Sequence, residues 1–210
     1  MYRPKAFDLA GLDELHGFIE ASGPAHVVST TPAGLTASFV PLLLDADHGP
    51  YGRLVGHLAR ANHHWRDLAP GHESLAIFTG PDAYISPSWY ATKAETGKVV
   101  PTWNYEVVHA AGDLIVHDDA DWVGRLVRRL TERHEAGMAS PWSVDDAPAD
   151  FVTAQLRAIV GIELRINRLE GKRKLSQNRN AADAGGAIDG LAKGTPLQQQ
   201  VAERMRQAIG

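Results

Sequence analysis

Apolar and polar residues alternate strictly over Val160–Asn167, the pattern of a half-buried β-strand. Two further β-rich runs lie at Ala25–Thr31 and Leu35–Leu44, and Pro32-Ala33-Gly34 between them predicts a hairpin. Pro41 cannot donate to a sheet ladder, so the second of these strands is expected at an edge or interrupted there. These runs indicate a fold that depends on strands with one buried face.

Shorter β-rich runs extend this pattern, and strands are expected at Arg53–Leu58, Glu73–Thr79, Ala83–Ser86, Thr102–Ala111 and Leu114–His117. Gly80-Pro81 is expected to end the strand Glu73–Thr79, and Gly112-Asp113 predicts a second hairpin. The total is six or seven strands, mostly linked by hairpins. That order favours a mainly β, α+β fold, an antiparallel barrel or sheet with peripheral helices, over alternating βαβ units.

Helices are expected where apolar residues recur in steps of three and four. The first helix is predicted to follow an Asp8 cap and to bury Leu12, Leu15 and Ile19. Further helices are predicted at Ala59–Leu68, around Trp122–Leu130, at Asp150–Arg157 and from Thr195 onward. In the last case Thr195, Pro196 and Gln198 match a capping box with proline at the first helical position. No repeat or linker divides the chain, so residues 1–210 are predicted to form a single domain with a helical tail from about residue 180.

Composition excludes several classes of protein. The chain has no cysteine, which removes disulfides, cysteine-ligated metals and thiol nucleophiles. No apolar stretch approaches the ~20 residues of a membrane helix, and Asp8, Asp13 and Glu14 occupy the place of a signal-peptide core. A cytoplasmic protein without membrane contact is therefore expected. The net charge of −4 argues against a dedicated nucleic-acid binder.

The common catalytic and nucleotide-binding motifs are missing, and no catalytic residue is assigned. The ten histidines raise the question of a metal site. His63 and His64 are adjacent, so on a helix they would point to different faces. Solvated or hydrogen-bonded histidines are the simpler interpretation, and no metal is expected.

Three segments concentrate side chains suited to binding. Gly56–Asn62 places Arg60 at a predicted strand-to-helix junction, where exposed N–H groups and a guanidinium suit a phosphate. Val99–Tyr105 combines two aromatic rings and an amide after a proline, and Gly171–Arg179 is basic and rich in hydrogen-bonding groups. Each segment also has a plain interpretation, as a capped helix, a buried aromatic strand and a solvated loop, and the residues alone leave these open.

With these segments in place, the sequence resembles the PaiB family of FMN-binding negative transcriptional regulators. The resemblance runs through nearly the whole chain, and its further features are Met1–Pro4 with Phe7, Phe78–Pro81, Tyr84–Tyr90, Val100–Tyr105, His134-Glu135, Pro141-Trp142 and Ala158–Gly161. One departure is His63-His64, where the family usually shows Asn-Pro-His.

The resemblance implies a split β-barrel of the pyridoxamine-phosphate-oxidase-like kind, a homodimer that binds FMN in clefts between subunits. Arg60 and Asn62 would then meet the FMN phosphate, with His57 beside them. The strand at Phe39, Val40 and Pro41 would lie along the flavin ring. The residues expected to close the site, from either subunit, are Lys174, Ser176 and Gln177. Further lining residues would be Ser86, Thr102, Trp103 and Asn104.

The function implied by the resemblance is a flavin-binding regulator that represses transcription. The sequence itself shows no helix-turn-helix pair, so a DNA partner has weak support from the residues. A flavin-dependent oxidoreductase of unknown substrate and a flavin sensor acting through a protein partner are the alternatives, and neither a substrate nor a reaction follows from the sequence.

Overall fold

Eight strands form one sheet in the computed structural model, which describes residues 1–209. The strands are β1 (Asp8–Leu9), β2 (Ala25–Thr31), β3 (Gly34–Val40), β4 (Leu43–Asp45), β5 (Arg53–Ala59), β6 (Ser74–Ile85), β7 (Thr102–His117) and β8 (Ile159–Lys174). Their order is β3-β2-β6-β7-β8-β5-β4, and β1 pairs with β8. The sheet is antiparallel and is not closed. This confirms the predicted fold class.

Six α-helices accompany the sheet: α1 (Leu12–Ala21), α2 (Ala91–Thr96), α3 (Ala120–Glu135), α4 (Ala149–Arg157), α5 (Ala181–Ala192) and α6 (Pro196–Ile209). Single 3-10 turns lie at Lys5–Phe7, His63–Trp65, Pro87–Trp89 and Val144–Asp146. No helix within residues 1–209 combines the length and apolar character needed to cross a membrane.

The described chain divides into two compact units. The first unit contains Met1–Leu15, Thr79–Val108 and the chain from Glu170 onward, and the second contains His16–Phe78 and His109–Leu169. In the core of the first unit, α5 and α6 pack on buried side chains that include Ile85 and Leu175, and α6 contributes Met205. In the second unit α3 packs its apolar stripe against β4 and β5, through Leu43, Val55, Leu126 and Leu130. The prediction of a single domain stays a prediction.

Several predicted elements are confirmed in place. The chain leaves the sheet between β3 and β4, where Pro41 lies. Helix α3 contains the predicted stripe Trp122–Leu130, and α4 starts one residue before its predicted start and ends at its predicted end. At the start of α6 the Thr195 N–H donates to Gln198 Oε1 at 2.8 Å and the Gln198 N–H donates to Thr195 Oγ1 at 3.3 Å. These two bonds are the predicted capping box.

The predicted hairpin at Gly112-Asp113 is wrong, because β7 continues through it to His117. A Cβ on Gly112 would lie 1.7 Å from the Arg165 carbonyl oxygen of β8. The glycine therefore allows a close approach of two backbones rather than a turn.

The predicted end of a strand at Gly80-Pro81 is also wrong, since β6 runs without a break to Ile85. Residues 74, 76 and 78 are buried before the Gly-Pro pair and residues 83 and 85 after it, so the alternation changes phase there. Such a phase change is what a bulge produces, and a bulge tolerates proline and glycine inside a strand.

Three expectations at element ends are corrected. Ala59–Leu68 is not a helix: Ala59 still pairs in β5, and Asn62 caps the three-residue turn His63–Trp65. Asp8 belongs to β1, where its carboxylate accepts a hydrogen bond from Arg3 at 2.8 Å, so it does not cap α1. The basic run from Gly171 begins inside β8, which extends to Lys174, rather than in a loop.

Candidate functional site

The predicted site residues fall into two groups, one in each unit. Those in the second unit are Phe39, Val40, Pro41, His57, Arg60 and Asn62, and those in the first unit are Ser86, Thr102, Trp103, Asn104, Lys174, Ser176 and Gln177. Each group has its own geometry.

Arg60 follows β5 directly, and its guanidinium is held by its own chain. Nε donates to the Arg157 carbonyl at 2.7 Å, and Nη2 donates to the Ile159 carbonyl at 3.2 Å. The two terminal nitrogens also donate to both carboxylate oxygens of Asp118, at 2.9 and 2.6 Å. Arg60 thus presents a fixed fork that already carries an anionic group in the bidentate arrangement typical of carboxylate and phosphate.

Asn62 belongs to a hydrogen-bonded network rather than presenting a free amide. Its oxygen accepts from the His64 N–H at 3.0 Å, and its Nδ2 donates to Ser38 Oγ at 2.9 Å. The His64 ring lies between two hydroxyls, with Nδ1 2.9 Å from Ser38 Oγ and Nε2 2.8 Å from Ser29 Oγ. Ser29 in turn contacts Ser74 Oγ at 2.7 Å. Burial lowers the pKa of His64, so the imidazole is neutral at pH 7 and links the hydroxyls by its two nitrogens.

His57 carries an unsatisfied polar atom. It lies in β5 opposite Gly161 of β8, and its buried Nδ1 has no hydrogen-bond partner among residues 1–209. Burial lowers the pKa of this histidine, which keeps the ring neutral at pH 7. A buried nitrogen without a partner costs free energy, so a ligand group that reached it would relieve that cost.

The end of β3 combines an exposed aromatic ring with a buried aliphatic side chain. Phe39 is exposed and its ring stacks obliquely on His26, with the ring centroids 4.8 Å apart, whereas Val40 is buried. Pro41 sits where the chain passes from β3 to β4. It lines an open cleft of about 620 Å³ together with Leu42 and Arg133.

In the first unit, the residues after β8 form a braced turn. Ser176 has φ of 68°, the one positive value outside glycine in the described chain, and its buried hydroxyl accepts from Asn104 Nδ2 at 2.9 Å. The Gln177 side chain accepts from the Leu175 N–H at 2.7 Å and donates to the Arg173 carbonyl at 2.8 Å. A left-handed serine persists only where its surroundings hold it, so this turn is preorganised.

Lys174 and Thr102 are brought together at the start of the same turn, where the Lys174 ammonium donates to Thr102 Oγ1. Burial lowers the pKa of Lys174. Trp103 follows Thr102 and is exposed. Its ring meets the ring of Tyr84 edge-on, with the centroids 6.2 Å apart, and it lines a cleft of about 370 Å³. Ser86 accepts from the Ser88 N–H at 3.2 Å and so caps the 3-10 turn Pro87–Trp89.

Sequence reasoning missed three residues of the second unit. Ser38 and His64 are linked to Asn62, but their sequence spacing gives no sign of it because Ser38 lies on a different strand. Asp118 was missed because it belongs to a different element, just before α3, where Asp119 provides the helix cap by accepting from the Trp122 N–H at 2.6 Å. Within residues 1–209 no group of three histidine, aspartate or glutamate side chains is placed to hold a metal ion.

Comparison with known proteins identifies the family. The model of the family described as "Putative FMN-binding domain" matches residues 1–168. The chain is 31% identical to "Protease synthase and sporulation protein PAI 2" of Bacillus subtilis, with 100% of this chain and 98% of that protein covered. It is also 32% identical to an uncharacterized protein of Aspergillus fumigatus, with 82% of each chain covered.

Two solved structures share the fold at low sequence identity. The flavocytochrome Anf3 from Azotobacter vinelandii matches with a TM-score of 0.61 and 14% identity, over 83% of this chain and 72% of that chain. The FAD and heme binding protein from Mycobacterium smegmatis matches with a TM-score of 0.60 and 17% identity, over 90% and 80%. The fold is the split β-barrel that the resemblance implied. Because the family model spans most of the chain and the Bacillus relative spans all of it, this chain belongs to the PaiB family of FMN-binding proteins.

Proposed function

We propose that this FMN-binding protein is a cytoplasmic regulator that represses transcription and works as a homodimer. The observation that carries the proposal is the match to the Bacillus protein, whose name connects that protein with protease synthase and sporulation. Because the two chains cover each other almost completely, no extra domain of the relative accounts for its role.

The second unit has a donor set that fits the phosphate end of FMN. A phosphate needs fixed N–H donors, and the Arg60 guanidinium supplies a fork whose direction is set by the Arg157 and Ile159 carbonyls. The buried His57 Nδ1 lacks a partner among residues 1–209, and it adds one further donor or acceptor three residues before Arg60. Arg60 and His57 are therefore proposed as FMN contacts, while Asn62 is proposed to act by fixing Ser38 and His64.

The remaining contacts proposed for FMN follow the chemistry of each group. The exposed ring of Phe39 and the surface at Pro41 suit the flat, mostly apolar flavin ring. In the first unit the Lys174 ammonium is a cation held in place by Thr102, and we assign it an electrostatic contact with FMN in the dimer. FMN when bound supplies one- and two-electron redox chemistry, and the residues described here bind and orient it.

The C-terminal helices α5 and α6 are the part of the chain that we propose contacts DNA. Helices α5 and α6 are joined by the three residues Lys193–Thr195, which include a glycine, and connections of this length are typical of helix-turn-helix pairs. The solvent face of α6 carries Gln199, Gln200 and Arg206. Glutamine and arginine are side chains that hydrogen-bond to base edges in the major groove.

The charge of this surface predicts weak binding to DNA. The exposed cations Lys193 and Arg206 are balanced by the exposed anions Asp189 and Glu203, and Arg206 donates to Glu203 at 3.1 Å. Since phosphate contacts provide most of the affinity of a DNA-binding protein, binding should be weak and should fall steeply with salt.

Repeated selection from a pool of random-sequence DNA duplexes tests the regulator proposal. The chain should enrich a defined sequence, and Gln199→Ala with Gln200→Ala should abolish the enrichment. Gln155→Ala is the matched control, because Gln155 is an exposed glutamine of α4. A pool that stays random after selection, with and without FMN, would refute direct DNA recognition.

A further inference from the structure

Arg60 and Asp118 form a bidentate pair at the surface of the second unit, with 37% and 53% of their side chains exposed. Of the five N–H groups of a guanidinium, four are engaged by residues of the described chain. Two of those four go to Asp118, so the fork that would hold a phosphate is occupied by a carboxylate of the same chain. A second anion cannot take the same two N–H groups at the same time.

We propose that Asp118 is a built-in competitor for the phosphate of FMN, which occupies the Arg60 fork when the ligand is absent and lowers the affinity for phosphorylated flavin. This inference rests on the proposed contact between Arg60 and the FMN phosphate. Asp118 is then a specificity-determining residue, since it opposes FMN but not riboflavin, which has no phosphate.

The surroundings of Asp118 allow its carboxylate to leave the fork. The helix cap of α3 is provided by the next residue, Asp119, so α3 keeps its N-terminal hydrogen bond when Asp118 moves. More than half of the Asp118 side chain is already in water, and an exposed ion pair contributes little to stability. The backbone carbonyls of Arg157 and Ile159 meanwhile keep the guanidinium in place.

Both members of the pair stay charged throughout the working range of pH. The hydrogen bonds from Arg60 lower the pKa of the Asp118 carboxyl, and the same contact raises the pKa of Arg60. Binding of the phosphate therefore exchanges one anion for another at a fixed cation. Replacing Asp118 with a neutral side chain removes the competing anion and its repulsion of the incoming phosphate.

The test is titration of the full-length chain, freed of flavin, with FMN and with riboflavin, followed by quenching of flavin fluorescence. Asp118→Asn should tighten FMN by about three- to fivefold, the size of effect that exposed ion pairs have, and should leave riboflavin unchanged. Asp121→Asn is the control, because Asp121 is an exposed acid on the first turn of α3 and its replacement removes the same charge. Circular dichroism establishes that both variants are folded, and Asp118→Ala replaces Asp118→Asn if the latter is not.

The outcomes separate this inference from the proposed FMN contact. Equal FMN affinity in Asp118→Asn and Asp121→Asn, or a loss of affinity in Asp118→Asn, overturns the competitor role. If Arg60→Ala weakens FMN and riboflavin equally, the phosphate contact itself is wrong and the inference falls with it. A wild-type chain that binds no FMN would overturn both.

Discussion

Glu106 is a deeply buried carboxylate of the first unit, and its replacement by glutamine should strongly destabilise the protein. The carboxylate is 1% exposed and accepts from Arg173 Nε at 2.7 Å, from Arg204 Nε at 2.7 Å and from Arg204 Nη2 at 3.0 Å. Through these bonds β7 is tied to β8 and to α6. Glu106→Gln keeps the shape of the side chain but leaves the Arg204 guanidinium without its anion and leaves Arg173 with only the exposed Glu14, at 3.4 Å.

The expected loss in the free energy of unfolding depends on how far the side chains of Arg173 and Arg204 are exposed to solvent. Removing one partner of a buried ion pair costs about 3–5 kcal/mol, and because the side chains of Arg173 and Arg204 are 26% and 36% exposed, the lower end applies. A loss of about 3 kcal/mol corresponds to a fall in Tm of about 6–12 °C for a chain of this size.

Urea unfolding followed by circular dichroism measures this loss. Glu203→Gln is the control, because Glu203 is exposed and pairs with Arg206 on the same helix, so its replacement should change the free energy of unfolding by less than about 0.5 kcal/mol. If Glu106→Gln and Glu203→Gln lose the same small amount, the Glu106 network does not hold α6 in place and the reasoning is wrong.

Four further predictions concern assembly, the ligand and pH. Light scattering should give twice the 22.7 kDa of one chain, and a monomer at micromolar concentration would contradict the homodimer. Arg60→Ala should weaken FMN by about 10- to 100-fold and riboflavin little, as measured by titration, because the guanidinium faces the phosphate. Lys174→Ala should weaken FMN by about three- to tenfold, and Lys193→Ala, which removes an exposed lysine, should not; equal effects would exclude a specific role for Lys174. Burial lowers the pKa of His64 below its unfolded value, so protonation favours the unfolded chain and the free energy of unfolding should fall as pH drops below about 6.5. Urea unfolding at pH 7 and pH 5.5 measures this fall. If the fall is the same in His64→Gln as in the wild type, another group is responsible.

The parts of the fold that the sequence predicted correctly are those set by local chemistry. The capping box at Thr195 and Gln198 and the break at Pro41 depend on residues close in sequence, and both occur as predicted. The errors came from glycines with a tertiary role. Gly112 was interpreted as a turn because the Arg165 carbonyl that it accommodates lies 53 positions away in the chain.

Helix α5 was predicted only as part of a helical tail from about residue 180 and not as a separate element, for a related reason. Its sequence contains Gly185, Gly186 and Gly190, which weaken the helical pattern. In the structure, a Cβ at Gly186 would lie 2.0 Å from the Trp89 carbonyl oxygen, and one at Gly190 would lie 2.4 Å from the Trp89 ring. Close packing against Trp89 thus requires glycine inside a helix, and the local sequence pattern does not indicate that requirement.

For the candidate site, the sequence predicted which segments are polar but not the contacts that their side chains make. The segment around Arg60 and Asn62 is polar and organised in the structure, but its predicted helix N-terminus is absent and both side chains are bonded within the chain. Asp118 and Ser38 come from other elements, so the partners that define these roles could not be read from spacing.

The central claim is that this chain binds FMN, and equilibrium titration of the purified, flavin-free protein with FMN tests it most directly. The account predicts saturable, equimolar binding, a shift in the visible flavin bands, and a higher Tm in the presence of FMN, because a ligand that binds the folded state stabilises it. Unsaturable binding, with no change in the flavin spectrum or in Tm, would contradict the account.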